Sequence, residues 1–394
     1  MAPHRLGLPN GVGCLVMAEK SPPDGTTQMV DRGVVDAVPA QTARHGAHAR
    51  TAMRPSSLVA NLGQLRLGRF GGLGLIVALV VIFGFWIPDT FLTAATAQAV
   101  TRNQAITIIL SLSLMASLSA GVFDLSVGQN VGLGAVVCIS LVSKYHWDTV
   151  PACLATVLVC AAVGGINALL IVVVGIDSFI ATLGVGSVLL AAAEYLSKSQ
   201  YVGPAPTDFQ KMAGWQPFGV PVLIIYALVL ALAAWYVLEH TPVGRRLYAT
   251  GANPDAARLA GIATKKYVAC ALILTGIGCG VAAILLSAAV GSISSSVGSS
   301  YLLPPFAGCF LATTQIKPGR YNVGGLLVSL FLLGIGVEGL SLVKGDVWIP
   351  DLFNGVALVL AVGLTVVLHR RAASRSKRRA ISTETSREDR TKLA

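Results

Sequence analysis

Between about residue 72 and residue 368 the chain is built of long apolar runs separated by short polar intervals. Runs of roughly 18 or more apolar residues are long enough to cross the hydrocarbon core of a bilayer as helices. That rule predicts spans near 72–90, 104–120, 126–143, 151–174, 179–196, 218–238, 267–289, 302–316, 323–343 and 350–368. The fold class is therefore an all-α polytopic membrane protein of about ten transmembrane helices. The stretch 302–316 is short and carries Pro304 and Pro305, so a broken or re-entrant helix buried among its neighbours is expected there. Three regions follow: a polar leader over 1–68, expected to be disordered; a transmembrane domain over 69–368; and a basic tail over 369–394. The apolar patch 11–18 of the leader is short and broken by glycine, unlike a signal peptide, and Met53 offers a later translation start opening a short basic end.

Composition agrees with the pattern. With 54% hydrophobic and 12% charged residues, the chain has too few charges to clothe a soluble globule. The net charge of +11 raises the question of nucleic acid. The basic residues instead flank the apolar runs: Arg245, Arg246, Arg258, Lys265 and Lys266 in the central loop, and Arg370, Arg371, Arg375, Lys377, Arg378 and Arg379 after the last run. Such placement is what the positive-inside bias produces, and no nucleic-acid partner is expected. With the loop 239–266 inside, ten spans put both termini and the Lys317/Arg320 turn on the cytoplasmic side and the loop 197–217 outside. The seven cysteines lack CxxC spacing and read as small core residues. No HExxH, nucleophile elbow or GxxxxGK[ST] occurs, so no catalytic residue, metal or cofactor is expected.

The polar segment GRRLYATGANPDAARLAGIATKK at 244–266 contains a helix in its own right. Asn253 is a favoured N-cap, Pro254 suits the first helical position, and Asp255 sits near the positive end of the dipole. Gly261 is a natural stop, which predicts a helix over 254–260, about 10 Å long. Ala256, Ala257 and Ala260 give it a face that another surface can approach closely. Taken alone it is either a plain capped loop or a docking element. Elsewhere, Asp124 and Ser126 read as a cap for the 126–143 helix or as pore-lining groups. Gly128 and Gly132 form GxxxG, a close-packing signal. Asn167 and Glu338 lie within apolar runs, as interhelical hydrogen-bonders or pathway residues. Thr182 either faces the path or bonds a carbonyl of its own helix.

These residues resemble those of a known family. Gly244-Arg245, Tyr248-Ala249, Gly251, Asn253, Ala256-Ala257-Arg258 and Gly261-Ile262 are similar to GRxxYAxGxNxxAARxxGI, the cytoplasmic loop of permease subunits of ribose- and xylose-type ABC sugar importers, within the branched-chain/monosaccharide importer permease family. GVFDLSVGQNVGLGAVV at 121–137 resembles the family's GGIDLSVGxxxxLxxVV, and DSFIATLGVGSVLLAAAEYLS at 177–197 resembles PxFIATLGxxSxxRGLAxxLT. The matches come in family order, and the likeness covers roughly 70–368. Departures exist: GCFLATTQIKPGRYNVGG at 308–325 lacks the paired glycines of the family's VxGGTSLxGGxG, and Ala120 and Phe123 replace a Gly and an Ile.

The resemblance implies a permease subunit, not an enzyme, that moves a monosaccharide or related polyol across the bacterial inner membrane. It implies an ATP-binding cassette subunit, an extracytoplasmic sugar-binding protein and a second permease copy, identical or paralogous, as partners, besides membrane lipid. It makes Gly244, Arg245, Asn253, Asp255, Ala256, Ala257 and Gly261 the coupling segment. Asp124, Ser126, Asn167, Phe179 and Thr182 are the candidates for the translocation path. The alternative is an ion-coupled secondary transporter of a small polar solute. It would leave the capped loop helix without a use, and no buried acid–base pair suggests a proton relay.

Overall fold

The computed structural model describes residues 56–346 and 348–363, with side chains from residue 71 onward. The helices are α1 (Ser56–Trp86), α2 (Pro88–Phe91), α3 (Ala94–Ser119), α4 (Val127–Lys144), α5 (Thr149–Val174), α6 (Ser178–Ser197) and α7 (Thr207–Gly214). They continue with α8 (Val222–His240), α9 (Pro242–Ala252), α10 (Pro254–Leu259), α11 (Thr264–Val290), α12 (Leu303–Ala312), α13 (Val323–Lys344) and α14 (Ile349–Gly363). Among the described residues there is no strand, only an isolated antiparallel bridge between Val202 and Ile293.

Among the described residues, seven helices, α3, α4, α5, α6, α8, α11 and α13, are long and apolar enough to cross a membrane. They fall on seven of the ranges expected from the apolar runs. Of the other three ranges, 72–90 holds the second half of the 31-residue α1, 302–316 holds the ten residues of α12, and 350–368 holds α14, which is described as far as Gly363. The first helix begins at Ser56, inside the range read as leader. Residues 1–55 and the basic tail, including Met53 and the Arg370–Arg379 cluster, lie outside the described residues.

Why these helices need lipid is visible in how they bury. α3, α4 and α11 form the inside of the bundle, whereas α5, α6 and α8 turn most of their apolar side chains outward. Val173 is 73% exposed and Val188 67%. Outward apolar surface on this scale suits a helix solvated by hydrocarbon and not by water. Because lipid supplies no hydrophobic drive between helices, contact rests on small residues and interhelical hydrogen bonds. At the α5–α11 crossing a Cβ on Gly276 would stand 2.4 Å from the Cys160 carbonyl oxygen, so the backbones touch. Ser117 of α3 and Thr275 of α11 pair their hydroxyls at 2.6 Å, and Ser287 donates to the Ala135 carbonyl of α4 at 3.3 Å. The Gly128–Gly132 pair lets the segment Ser295–Tyr301, not another long helix, lie against α4.

α11 fixes the two ends of the bundle. Its first residues, Thr264 and Lys265, border the α9–α10 loop, and its last turn lies beside α7, Gly291 packing on Gln210. At the α7 end, the Gln210 side chain donates to the Ala205 carbonyl at 2.8 Å, and the Val202–Ile293 bridge ties the two loops together.

Candidate functional site

The loop between α8 and α11 folds as expected from its caps, and as two helices. α9 opens on Thr241, whose hydroxyl accepts the Gly244 N–H, followed by Pro242. Gly244 is required by space: a Cβ there would lie 2.1 Å from the Leu238 carbonyl oxygen, where α9 folds back against the end of α8. At Asn253 the chain leaves helical geometry, with φ −157° and ψ 98°, and its side chain accepts from the N–H groups of Asp255 and Ala256 at 3.1 and 3.0 Å. That is the N-cap bond pattern, and Pro254 at the first position costs no hydrogen bond. Asp255 pairs with Arg258 one turn on. Gly261 ends the segment at φ +80°, a conformation that a side chain disfavours.

The single alanine face expected of α10 is divided in the structure. Ala257 is buried within the chain, and Ala256, Arg258, Leu259 and Ala260 are exposed, Leu259 to 92%. Arg245 is exposed on α9.

α9 is clamped to the bundle at both ends of its length. Gly251 lies against the α3–α4 connection: a Cβ on it would stand 2.3 Å from the Ser119 carbonyl oxygen and 2.9 Å from the Gly121 nitrogen. Tyr248 donates its hydroxyl to the Tyr321 carbonyl at 2.8 Å, and the Arg320 guanidinium lies 3.8 Å from the centre of its ring. Burial pushes the Tyr248 hydroxyl above its ordinary value, and Arg320 pulls it the other way. Beside them Lys317 pairs with Glu239 at the end of α8. The turn Lys317-Pro318-Gly319-Arg320 thus joins α8 and α9 to the start of α13. Sequence reasoning kept this turn but gave its residues no partners. A cavity of about 280 Å³ lies under the loop, bordered by Gly121, Val172, Thr250, Pro254 and Thr264.

The connection on which Gly251 rests carries a buried polar cluster. One carboxylate oxygen of Asp124 accepts from the Ser126 N–H at 3.1 Å, the Ser126 hydroxyl at 2.6 Å and the Asn167 amide at 3.3 Å. Asn167 also donates to the Ser126 hydroxyl at 2.8 Å, linking α5 to the start of α4. Asp124, Ser126 and Asn167 are all buried, and the Asn167 amide oxygen has no partner. Ser126 occupies the N-cap position of α4 without a side-chain cap bond; Asp124 holds the turn instead. Thr182 bonds the Ser178 carbonyl of its own helix at 2.7 Å and accepts the Leu125 N–H at 3.0 Å, which fastens α6 to the same connection. Four of the path candidates therefore meet in one place. Phe179 stands apart, half exposed on the first turn of α6, with Asp177 capping its helix. Glu338 is partly buried along α13, away from the cluster's hydrogen bonds. Among the described residues no three His, Cys, Asp or Glu side chains group closely enough to hold a metal ion.

Comparison with known proteins places these features in context. A family described as "branched-chain amino acid transport system / permease component" matches residues 96–363. The D-allose transport system permease protein of Escherichia coli is 26% identical over 297 residues, 75% of this chain and 91% of that one. The ribose import permease protein of the same organism is 27% identical over 293 residues, covering 73% and 91%. The autoinducer 2 import system permease protein of Yersinia enterocolitica is 29% identical over 272 residues, covering 66% and 81%. No solved structure matches the chain.

Proposed function

Because this chain belongs to the branched-chain amino acid transport system / permease component family, we propose that it is the membrane subunit of an ATP-driven importer of a monosaccharide or related polyol. The three relatives compared above are named for allose, autoinducer 2 and ribose, which favours a small hydroxylated solute over an amino acid. In this reading ATP is hydrolysed on a separate cassette subunit, a binding protein delivers the solute from outside, and a second permease copy completes the pore. The membrane is the bacterial inner membrane, with the α9–α10 loop and both termini cytoplasmic.

The observation that carries the mechanism is the split of α10 into a buried and an exposed face. A six-residue helix fixed by an Asn cap and a glycine stop, with Leu259 92% exposed at its tip, offers another protein a short preformed edge. Movement imposed there passes to α9, which cannot yield locally because Gly244 and Gly251 bring its backbone into contact with α8 and the α3–α4 connection. From Gly251 it reaches the connection that Asp124, Ser126, Asn167 and Thr182 bind to α4, α5 and α6. Through Tyr248 and Arg320 it reaches α13. Asp124, Ser126 and Asn167 are thus assigned to holding the helix junction near the path, and Phe179 to its wall.

Reconstitution tests this reading. The chain alone in vesicles should give no uptake, and uptake should appear when the cassette subunit, the binding protein and ATP are supplied. Gradient-driven uptake by the chain alone would overturn the proposal in favour of a carrier. Sidedness is checked in a cysteine-free background: Ser199→Cys should react with an impermeant maleimide from outside, and Leu259→Cys should react only from inside.

A further inference from the structure

A second recess, unused by the transport reading, lies between α3, α8 and α11. It encloses about 310 Å³, and its walls, Leu112, Ala233, Val237, Leu274 and Ile277 among them, are almost wholly apolar. All three helices are long and apolar enough to span, so the recess opens at hydrocarbon depth. At the loop end it is closed by Leu247 of α9 and Tyr267 of α11. There the Arg246 guanidinium donates to the Tyr267 hydroxyl at 3.1 Å. Arg246 is exposed and pairs with no carboxylate among the described residues. Arg245, Lys265 and Lys266 are exposed on the same two helix ends, Lys265 at the cavity under the loop, and Arg246 is the basic group bonded to a residue of the recess wall.

An apolar channel that ends in a tyrosine and a guanidinium without a counter-charge is complementary to a lipid of negative charge. We propose that an anionic phospholipid occupies this recess, with an acyl chain between α8 and α11 and its phosphate on Arg246 beside Tyr267. The site lies at the base of α9, so the lipid bears on the helix that carries α10. Membrane composition then influences the position of the loop independently of the cargo.

Native mass spectrometry of the purified chain, given phosphatidylglycerol or phosphatidylcholine with identical acyl chains, tests the site. The parent should retain phosphatidylglycerol in preference. Arg246→Gln should lower that retention roughly fivefold, the effect of about one basic residue at an anionic surface. Arg246→Lys should keep most of it. Ala233→Phe, which fills the recess from an exposed position, should lower the retention of both lipids. Equal retention of phosphatidylglycerol by the parent and Arg246→Gln would overturn the proposal, as would full retention by Ala233→Phe. In a variant with Cys270 as its sole cysteine, efficient cross-linking of two copies by a short bis-maleimide would assign the recess to a second copy and would also overturn it.

Discussion

Of the short helices outside the spans, α7 lies beside the last turn of α11 and α10 beside its first, and these two are held in opposite ways. α7 is fixed from within: Phe209 is 1% exposed and Ala213 is buried with it, while Asp208 and Lys211 pair at the surface. α10 buries a single small side chain, Ala257, and leaves its largest apolar residue, Leu259, outside. Burial of an aromatic ring contributes several times what one methyl group can. The first helix therefore needs nothing beyond its own chain. The second is shaped by its caps and presents an apolar tip with no partner inside the chain, and the proposed contact with a cassette subunit rests on that difference.

Substitutions separate the two helices. The largest effect is expected at the inner anchor: Phe209→Ala should cost about 3–5 kcal/mol. It should lower the melting temperature of the purified chain without weakening its hold on the cassette subunit. Ala257→Glu comes next, because a carboxylate driven into the buried side of α10 carries a penalty of several kcal/mol. Loss of fold and loss of the partner should appear together there, whereas Leu259→Glu should leave the melting temperature unchanged and remove the partner alone. Asn253→Ala, which frees the Asp255 and Ala256 N–H groups, should cost ~1 kcal/mol and reduce coupling in proportion. Arg258→Ala is expected to be the mildest, within about 1 kcal/mol, since its pair with Asp255 is exposed on both sides. Thermal unfolding and co-purification, measured side by side, separate these outcomes.

What was legible in the sequence divides along the same line. Caps are local, so Asn253, Pro254 and Gly261 marked the ends of α10 to within a residue. Spans are legible because lipid demands an unbroken apolar run, and in the short range 302–316, which carries Pro304 and Pro305, the helix is only the ten residues of α12. Which alanine of α10 turns inward depends on α9 and α11, and three alanines at 256, 257 and 260 gave no contrast from which to choose. The Tyr248–Tyr321 bond joins residues 73 apart, so neither partner announces the other. Asp124 and Ser126 were read as capping groups or path groups. Their hydrogen bonds fix the turn before α4, and what the sequence could not supply was Asn167 from another helix completing it.

In the proposed importer α10, through Leu259, is the surface that meets the ATP-hydrolysing partner. The most direct test of this contact is photo-cross-linking from a benzophenone placed at Leu259→Cys in the assembled importer, with the same probe on Lys211→Cys of α7 as the reference. An adduct between position 259 and the cassette subunit is expected, with a yield that changes on adding ATP, and no such adduct from position 211. Absence of the adduct at 259 in an importer that still transports, or an equal adduct from 211, would contradict that contact.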